Sequence, residues 1–491
     1  MGWLFDNPPL GVFWAVIGLA GDIIIRVVAL IVVPRNRKPQ TATAWLLAIF
    51  LIPWVGVILF LLIGSTRLPK HRRQKQREIN QYILDTTSGM DRVTKDADFP
   101  DWLGPVVELN RTLGSMPLVG GNRSELYPDY EESLAAMTVA MGSAKRYLHV
   151  EFYILSLDAT TAPFFGAMEA AVQRGVIVRV LLDHIASIRS PGYHKTITRL
   201  TAMGALWHVM LPVQPLRGKY QRPDLRNHRK LLVIDGEVAF TGSQNVIDRS
   251  YNKRGNLKRG LKWKDLMARF EGPVVAGSNA LFVTDWYSET DELLLREAED
   301  DVQVKHRHAL DAQVVPSGPG FELENNLRLF NALMYNAQHK LIVTSPYFVP
   351  DDSLLYAITN AAYRGLDVQL FASAIGDQWL VYHAQRSYYE ALLRAGVRIW
   401  LYEAPTILHA KHISIDDEVA VIGSSNMDMR SFSLDYEISI MLRGKQAVAD
   451  LREVEQSYRE HSRELTLEEW QKRSFWSKTM DNIARLTAAV Q

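Results

Sequence analysis

The chain has 491 residues, with 55 Lys and Arg against 54 Asp and Glu, and it contains no cysteine. That length accommodates two or three domains, each with a sizeable core. The balanced charge gives no global field that would draw the chain to nucleic acid, which lowers the expectation of a nuclease. The absence of cysteine excludes disulfides, thiolate metal sites and a cysteine nucleophile.

Two apolar stretches near the start predict a membrane anchor. Residues 11–33 are apolar except for Asp22 and Arg26, and residues 44–63 are apolar throughout, interrupted by Pro53. Each reaches the roughly 20 residues that a helix needs to cross a bilayer, so we predict a two-span helical hairpin over residues 1–66. A cleaved signal peptide is the alternative for the first stretch, but a basic n-region and a cleavage site are missing. Asp22 and Arg26, four residues apart, are expected to pair on one helical face.

Flanking charge predicts the orientation of that anchor. Two spans leave both of their outer ends on one side of the membrane, and the larger basic cluster favours a cytoplasmic body. The hairpin loop is basic too and opposes this prediction. The cluster could instead rest on anionic headgroups or be an ordinary solvated flank. The loop holds Arg35, Arg37 and Lys38, and the later cluster holds Arg67, Lys70, Arg72, Arg73, Lys75 and Arg77.

The rest of the chain is internally duplicated. Residues 67–104 are interpreted as a basic juxtamembrane segment and linker, because residues 78–105 show no clear period. Two domains are expected to follow, over residues 105–305 and 306–491. In each half a buried strand precedes a helix that ends in Arg-Gly, and a second strand follows. Strands alternating with helices in both halves predict duplicated α/β sandwich domains that form a pseudo-dimer.

Each half carries the same set of polar residues at the same spacing. Lys follows His by two positions, Asp by seven, Ser by fifteen and Asn by seventeen. An isolated His-x-Lys is more often a solvated strand face, but repetition in one register favours a functional site. The two sets are His228, Lys230, Asp235, Ser243 and Asn245 in the first half, and His409, Lys411, Asp416, Ser424 and Asn426 in the second.

The residue types in each set indicate phosphate chemistry. A strand, a turn and a returning strand would bring the Gly-Ser and Asn back beside the His and Lys. Lys and Asn can neutralise and orient phosphate oxygens, while His can attack phosphorus or protonate a leaving oxygen. One histidine cannot perform both tasks at once, whereas two facing copies can. Carboxylates do not cluster as ligands, so no metal is invoked. Asp235 and Asp416 belong to the motif, but their position at the turn predicts structural salt bridges.

The paired His-x-Lys-x4-Asp stretches resemble the phospholipase D superfamily. The flanks Asp224-Leu225-Arg226-Asn227 and Met427-Asp428-Met429-Arg430-Ser431-Phe432, together with the apolar N-terminal stretches, are similar to bacterial cardiolipin synthases. The resemblance covers nearly the whole chain. It implies two phospholipase D-like domains, no cofactor, no nucleic-acid partner, and an enzyme of the bacterial inner membrane with its body on the cytoplasmic side.

The resemblance also implies a reaction. One phosphatidylglycerol would donate a phosphatidyl group to a histidine, and a second would accept it, giving cardiolipin and glycerol. Phosphatidylethanolamine as acceptor, and a hydrolase of the same fold, remain alternatives. His228 would be the nucleophile and His409 the general acid and then base, although near-symmetry leaves that assignment open. Lys230, Lys411, Asn245 and Asn426 would hold the phosphate, and Ser243 and Ser424 would line the site.

Each histidine further needs an acid on its other ring nitrogen, to fix the tautomer and stabilise the imidazolium. In the superfamily that acid lies downstream of the Asn. Glu437 is therefore expected to orient His409, and Asp265 to orient His228. The pair Asp435-Tyr436 stands where Asn-Phe is more usual.

Two further segments are open to more than one interpretation. Residues 252–259 are basic and punctuated by glycine, which fits either a mobile loop that contacts lipid headgroups or an ordinary solvated loop. The segment from Leu467 carries Trp470, Phe475 and Trp476 among basic residues. It could lie at a membrane interface or pack against the body.

Overall fold

The computed structural model describes residues 8–35, 37, 39–64, 68–87, 99–217, 219–294, 310–321 and 323–487. Lys38, Arg67 and the predicted domain boundaries at 66/67 and 305/306 lie outside the described residues. The chain divides into two compact units, one comprising residues 1–68 and 222–224 and the other comprising residues 69–221 and 225–491.

The first unit contains three helices and the second contains the remaining elements. The helices are α1 Pro8–Val32, α2 Pro39–Leu51, α3 Pro53–Ile63, α4 Lys70–Thr86, α5 Leu103–Gly114, α6 Tyr130–Met141, α7 Ala162–Gln173, α8 His184–Arg189, α9 Tyr193–Ala202, α10 Arg254–Arg259, α11 Val274–Thr290, α12 Asn325–Asn336, α13 Asp352–Tyr363, α14 Trp379–Ala395, α15 Met429–Ser433, α16 Lys445–Glu460, α17 Leu467–Gln471 and α18 Phe475–Arg485. The strands are β1 Leu118–Tyr127, β2 Tyr147–Phe152, β3 Ile177–Asp183, β4 Leu206–Met210, β5 Val213–Gln214, β6 Lys219–Tyr220, β7 Arg226–Asn227, β8 Lys230–Ile234, β9 Val238–Gly242, β10 Lys262–Lys264, β11 Met267–Glu271, β12 Leu310–Ser317, β13 Lys340–Thr344, β14 Phe348–Val349, β15 Asp367–Ser373, β16 Arg398–Tyr402, β17 Thr406–Leu408, β18 His412–Ile415, β19 Val419–Gly423, β20 Met427–Asp428, β21 Asp435–Arg443 and β22 Ser462–Leu465.

Helix α1 is the one described helix that is both long and apolar enough to cross a bilayer. Its segment Val12–Val32 has a mean hydropathy of 2.4 and is only 6% buried within the protein. Twenty-five residues at ~1.5 Å each give about 37 Å, more than the hydrocarbon core of about 30 Å. The Arg26 guanidinium lies 2.9 Å from the Asp22 carboxylate, as the spacing predicted.

The second predicted span is not one helix. It breaks at Ile52, because Pro53 cannot donate a helical N–H, and the two arms α2 and α3 fold back on each other. Trp45 on one arm stacks edge-on against Phe60 on the other, with ring centroids 5.4 Å apart. The second apolar stretch therefore forms two short helices in place of one continuous helix, and the number of membrane crossings it makes stays a prediction.

Contacts at both ends of this α2–α3 hairpin fix its shape. Where the arms cross, a Cβ on Gly56 would come within 2.7 Å of the Ile49 Cα, so only glycine permits the approach. At the open end the Arg37 guanidinium donates to the Gly64 carbonyl at 2.6 and 3.2 Å. The arms of 13 and 11 residues reach about 20 and 17 Å, roughly two thirds of a hydrocarbon core or less.

Helix α4 replaces the first part of the linker predicted over residues 78–105, up to residue 86, while residues 88–98 lie outside the described residues. The helix continues through residue 86 and packs on α11. Arg72 forms a bidentate ion pair with Glu289, with both distances 2.8 Å, and the Lys75 ammonium donates to the Tyr287 carbonyl at 2.8 Å. Ion pairs rather than a wide apolar stripe hold this helix to the body, so hydropathy gave little sign of it.

The sheet confirms the duplication. Among the described residues, sixteen strands join in one sheet, with fifteen in the order β22-β16-β15-β13-β18-β19-β21-β12-β1-β11-β9-β8-β2-β3-β4 and β7 attached to β21. From the central antiparallel pair β1–β12 outward, each half has an antiparallel hairpin followed by three parallel strands. In the second half the antiparallel strand β22 adds one more strand at the edge. The two α/β domains share a continuous sheet.

Each half has its own apolar core between the sheet and its helices. In the first half Met137 of α6 and Phe165 of α7 pack with Leu232 and Phe240 of the β8–β9 hairpin. In the second half Leu333 of α12 packs in the same way with the buried apolar residues of the β18–β19 hairpin. The two hairpins that carry the predicted site are therefore anchored in rigid cores.

Candidate active site

The site is built on two equivalent hairpins, β8–β9 and β18–β19. At the ends of their returning strands stand Gly242 and Gly423, where a Cβ would come within 2.3 Å of the Leu266 and Ile438 carbonyl oxygens respectively. Glycine allows this close approach, and the serine that follows each glycine consequently reaches the neighbouring strand. The predicted hairpins, with Gly-Ser beside the next strand, are confirmed.

Two short parallel strand pairs bring residues of opposite halves together. Strand β7 pairs with the start of β21, with Asn227 opposite Tyr436, so the next residues, His228 and Glu437, lie in register. The His228 backbone N–H donates to the Tyr436 carbonyl at 2.9 Å. The His228 Nδ1 then lies 2.9 and 3.1 Å from the two Glu437 carboxylate oxygens.

The second histidine is held in the mirror arrangement. Strand β10 pairs with β17, with Lys264 opposite Leu408, so Asp265 and His409 lie in register. The His409 Nδ1 is 2.7 Å from Asp265 Oδ1. The predicted acids are correct, but their assignment was wrong, since each carboxylate serves the histidine of the other half.

Both serines support these acids. The Ser243 hydroxyl donates to Asp265 at 2.6 Å, and the Ser424 hydroxyl donates to Glu437 in a short hydrogen bond. Both side chains are fully buried. Each hydroxyl is thus engaged with a carboxylate, and the predicted lining of the phosphate site by these serines stays a prediction.

The geometry defines the state of the two imidazoles. A carboxylate at Nδ1 favours a proton on that nitrogen and leaves the Nε2 lone pair for chemistry. Burial first, and then the neighbouring lysine, lowers the pKa of both histidines, to well below the usual range for His228. The charges of Lys411 and His409 also lower the pKa of His228, so groups of the two halves act within one site.

The two acids differ in their ionisation. Burial alone would raise the pKa of Asp265, but His409, Lys411 and the serine hydrogen bond hold it below its usual value. Burial dominates at Glu437 and raises its pKa to about 7 despite the charge of Lys230. The His409 pair therefore keeps an ionised partner over a wider pH range than the His228 pair.

Lys230 and Lys411 are buried cations at the floor of the site. The Lys230 ammonium donates to the His228 carbonyl at 2.5 Å, and the Lys411 ammonium donates to the His409 carbonyl at 2.6 Å. Burial lowers the pKa of Lys230 to about 7 and that of Lys411 to about 8. An anion bound between them would favour the protonated form of both, so the site is poised for phosphate.

The two asparagines are not equivalent. Asn245 Nδ2 donates to the Tyr251 hydroxyl at 2.8 Å, and its oxygen accepts from the Ile154 N–H at 3.1 Å. The Asn426 side-chain oxygen is buried and has no hydrogen-bond partner among the described residues. In this arrangement the Asn245 amide supports the wall of the site, and Asn426 has more capacity for a ligand.

Asp235 and Asp416 lie away from the reacting groups. Asp235 accepts three backbone N–H groups, from Lys145, Arg146 and Tyr147, at 2.7 to 2.8 Å. Asp416 accepts the equivalent three, from Gln338, His339 and Lys340, at 2.7 to 3.0 Å. Both carboxylates therefore have a structural role at the turn, through backbone hydrogen bonds rather than the predicted salt bridges. A catalytic role, which membership of the motif implies, stays a prediction.

Comparison with known proteins agrees with this architecture. The family model described as "Cardiolipin synthase, PLD-like domain" matches residues 137–271 and 330–458, and a "Phospholipase_D-nuclease N-terminal" model matches residues 24–65. Cardiolipin synthase A of Proteus mirabilis is 32% identical, over 91% of this chain and 92% of its own length. Cardiolipin synthase A of Erwinia tasmaniensis is 32% identical, over 94% and 95%. The chain belongs to the bacterial cardiolipin synthase family.

A solved structure supports the fold of this cardiolipin synthase family member. Phosphatidylserine synthase of Haemophilus influenzae matches with a TM-score of 0.59 and 16% identity, over 78% of this chain and 99% of that one. The predicted fold of duplicated phospholipase D-like domains is confirmed.

Two tyrosines beside the histidines were missed by the sequence analysis. The Tyr153 ring lies 4.9 Å from the His228 ring, and the Tyr347 ring lies 6.5 Å from the His409 ring. Tyr153 follows β2 by one residue, and Tyr347 follows the equivalent strand β13 by three. A tyrosine shortly after the equivalent strand of each half was the signal that could have found them.

The surroundings of the two histidines differ in polarity. Asp435 is buried within electrostatic reach of His228 and pairs with Arg430 at 3.2 Å. The corresponding position two residues before Asp265 is Trp263, which packs with Tyr251 and Ile407 in an apolar cluster. In this cardiolipin synthase family member, the strand pair that carries Asp265 and His409 is bordered by an apolar cluster, whereas a buried carboxylate precedes Glu437 on the other pair.

Two other predictions concern the surroundings. Residues 254–259 form the short helix α10, which has no buried residue, and both headgroup contact and a solvated loop stay predictions. No cluster of three or more His, Asp or Glu side chains suited to a metal occurs in the described parts of the chain.

Proposed function

We propose that the chain is a cardiolipin synthase that transfers a phosphatidyl group from one phosphatidylglycerol to another and releases glycerol. The two histidine–carboxylate pairs, each formed by residues of opposite halves, carry this proposal. We call them the crossed pairs. They supply two oriented imidazoles with free Nε2 atoms above two buried lysines, as transfer through a phosphohistidine requires. The enzyme is accordingly a phosphatidyltransferase.

In the first step we assign the attack to His228. Its Nε2 forms a bond to phosphorus, and the bond from phosphorus to the headgroup glycerol oxygen breaks. The bound phosphate favours the protonated form of His409, which gives its Nε2 proton to the leaving glycerol. Glu437 and Asp265 stabilise the charges on the two rings, and the lysines neutralise the phosphate oxygens.

The second step reverses the first with a new acceptor. His409, now neutral, removes the proton from a glycerol hydroxyl of the second phosphatidylglycerol. That oxygen attacks phosphorus, the phosphorus–nitrogen bond breaks, and cardiolipin forms. Water as acceptor would give phosphatidic acid instead. The apolar wall of Trp263, Tyr251 and Ile407 beside His409 supports a lipid acceptor over water.

A product assay tests this proposal. Purified full-length protein is given labelled phosphatidylglycerol alone, with a chelator, and lipids and glycerol are quantified. We expect one glycerol per cardiolipin and no dependence on the chelator. Phosphatidic acid without cardiolipin would contradict the transferase, and loss of activity with the chelator would contradict metal-free chemistry. Added phosphatidylethanolamine should not enter the product.

For the membrane anchor we propose one crossing by α1 and a re-entrant α2–α3 hairpin. The short arms and the contact between Arg37 and Gly64 support this arrangement, since the hairpin then enters and leaves on one side. The loop charges at Arg35 and Arg37 consequently share a side with the basic segment that follows the hairpin. Both clusters then favour the cytoplasmic side of a bacterial inner membrane, which removes the conflict between them.

Single cysteines in this cysteine-free chain test the topology. We expect a membrane-impermeant thiol reagent to label Asn7→Cys from outside intact cells. Pro34→Cys and Gln74→Cys should react only after permeabilisation. Two full spans would reverse the first two results, with Pro34→Cys labelled from outside and Asn7→Cys protected. Gln74→Cys serves as the control in both cases, because its side is the same under either topology.

A further inference from the structure

Helix α18 (Phe475–Arg485) is docked with its polar face inward. Asp481 is buried, and its carboxylate lies 2.6 Å from His383 Nδ1 and 3.5 Å from the Arg386 Nε, while Arg473 completes the network with a short ion pair. Ala484, on the same face, is also buried. These ion pairs and one small side chain hold the helix to α14 (Trp379–Ala395).

The apolar side chains of α18 point to solvent. At 100° per residue, the four exposed apolar side chains of the helix and Leu486, which follows its last residue, cover one stripe about 140° wide. Such a stripe normally faces the core, so its orientation here is reversed. The exposed fractions are 74% for Phe475, 76% for Trp476, 40% for Met480, 55% for Ile483 and 84% for Leu486.

The first turn of α14 extends this apolar surface. Trp379 is 59% exposed and lies against His383, with ring centroids 4.6 Å apart, next to the Asp481 network. Leu380 beside it is 38% exposed. We call these two residues and the five of the α18 stripe the α18 patch.

The outward charges of helix α18 itself have one sign. Its acid, Asp481, is turned inward, whereas Lys478 is partly exposed beside the stripe and Arg485 is exposed, with its guanidinium 4.6 Å over the Tyr388 ring. The exposed acid Asp377 lies two residues before Trp379, at the other end of the patch. Aromatic and aliphatic side chains with flanking cations are the composition of helices that lie in a membrane interface. A second protein copy would not require cations at this edge, whereas anionic lipid headgroups attract them.

We propose that the α18 patch is a second membrane contact, which inserts its apolar side chains among the headgroups of an anionic bilayer. The contact is separate from the N-terminal helices and belongs to the catalytic body itself. It would hold the body against the surface that contains its lipid substrates.

A fluorescent label measures this contact directly. Thr479→Cys lies within the stripe, and Val139→Cys, on the exposed face of α6, is the matched control, since Val139 is 77% exposed. Both full-length variants carry an environment-sensitive dye in phosphatidylglycerol nanodiscs. We expect a blue-shifted signal at 479, quenched at least twofold by lipids with a spin label near the headgroup, and neither effect at 139.

Dye emission typical of water at both position 479 and position 139 would overturn the proposal. A signal at 479 that is insensitive to quenching lipids but rises with protein concentration would also overturn it, in favour of a second copy. The dye reports contact rather than turnover, so this result is independent of the proposed reaction.

A kinetic variant provides the second readout. The triple replacement Phe475→Ser, Trp476→Ser and Ile483→Ser removes exposed side chains only, so the fold should persist. We expect at least a tenfold increase in apparent KM for phosphatidylglycerol in bilayers, with unchanged turnover of dispersed short-chain phosphatidylglycerol. Unchanged bilayer kinetics, or equal losses on both substrates, would contradict a membrane contact. Val139→Ser is the control substitution.

Discussion

His228→Ala and His409→Ala should each reduce cardiolipin formation by about 10³-fold or more while the fold is retained. One variant lacks the group that forms the covalent bond, and the other lacks the group that moves the proton, and either loss blocks turnover. Both histidines are buried beside a carboxylate, so melting temperature must be measured alongside activity. His339→Ala, at an exposed histidine outside the site, is the control.

The two histidine variants should differ in what they accumulate. If His228 attacks phosphorus, His409→Ala still forms the phosphohistidine slowly and cannot complete the second step, so label from phosphatidylglycerol stays on the protein. His228→Ala should carry none. An acid-labile, base-stable label would identify the phosphoramidate. Label on His228→Ala alone would reverse the two roles, and substantial synthesis by either variant would contradict the two-histidine mechanism.

The parts of the site that could be predicted from sequence are those set by local pattern. The hairpin that carries His228 and Lys230 follows from an apolar strand, a turn and a returning strand, and its repetition around His409 identifies the site. The duplicated α/β fold follows from the same periodicity. These features depend on residues within about 20 positions of one another, where spacing is informative.

The pairing of acids with histidines could not be predicted in this way. Spacing downstream of Asn245 and Asn426 identified Asp265 and Glu437 as acids. Which histidine each acid meets depends on two short strand pairs between the halves, β7 with β21 and β10 with β17. Such long-range exchange leaves no periodic signal in either half. The hydrogen bonds of Ser243 and Ser424 could not be predicted for the same reason, because their partners are those acids.

The α2–α3 hairpin was missed because hydropathy counts apolar residues and does not detect a reversal of direction. A continuous span and two folded arms contain the same twenty apolar side chains, within the roughly 20 residues of a span. Pro53 was visible as a possible break, and Gly56 permits the close crossing that follows it. The sequence contained both residues, but contacts between the arms, such as that of Trp45 with Phe60, are needed to distinguish the two structures.

The crossed pairing makes a second large effect testable. Glu437→Gln and Asp265→Asn should each lower kcat by about 10²- to 10⁴-fold, because a neutral amide neither fixes the imidazole tautomer as firmly nor stabilises the imidazolium. The pH dependence should separate them. Asp265 has a lowered pKa and is ionised throughout the working range, so the loss in Asp265→Asn should be constant with pH.

Glu437 should behave differently, because burial raises its pKa to about 7. Below that pH the wild-type carboxyl becomes protonated, so wild-type kcat/KM should rise as pH increases through about 7. The deficit of Glu437→Gln should therefore be small at pH 6 and largest at pH 8. A deficit that is constant over this range would contradict an ionisation of Glu437 near neutrality.

The free energy of unfolding can be measured in inactive variants too, so it can identify which histidine each acid contacts. In double-mutant cycles, Glu437→Gln with His228→Ala should show a coupling free energy above about 0.5 kcal/mol, because the two side chains are in contact. Glu437→Gln with His409→Ala should be additive within about 0.5 kcal/mol. Asp265→Asn should give the opposite pattern, coupling to His409 and not to His228. Coupling within each half instead of between halves would contradict the exchange of strands β7 and β10, and with it a single site assembled from both domains.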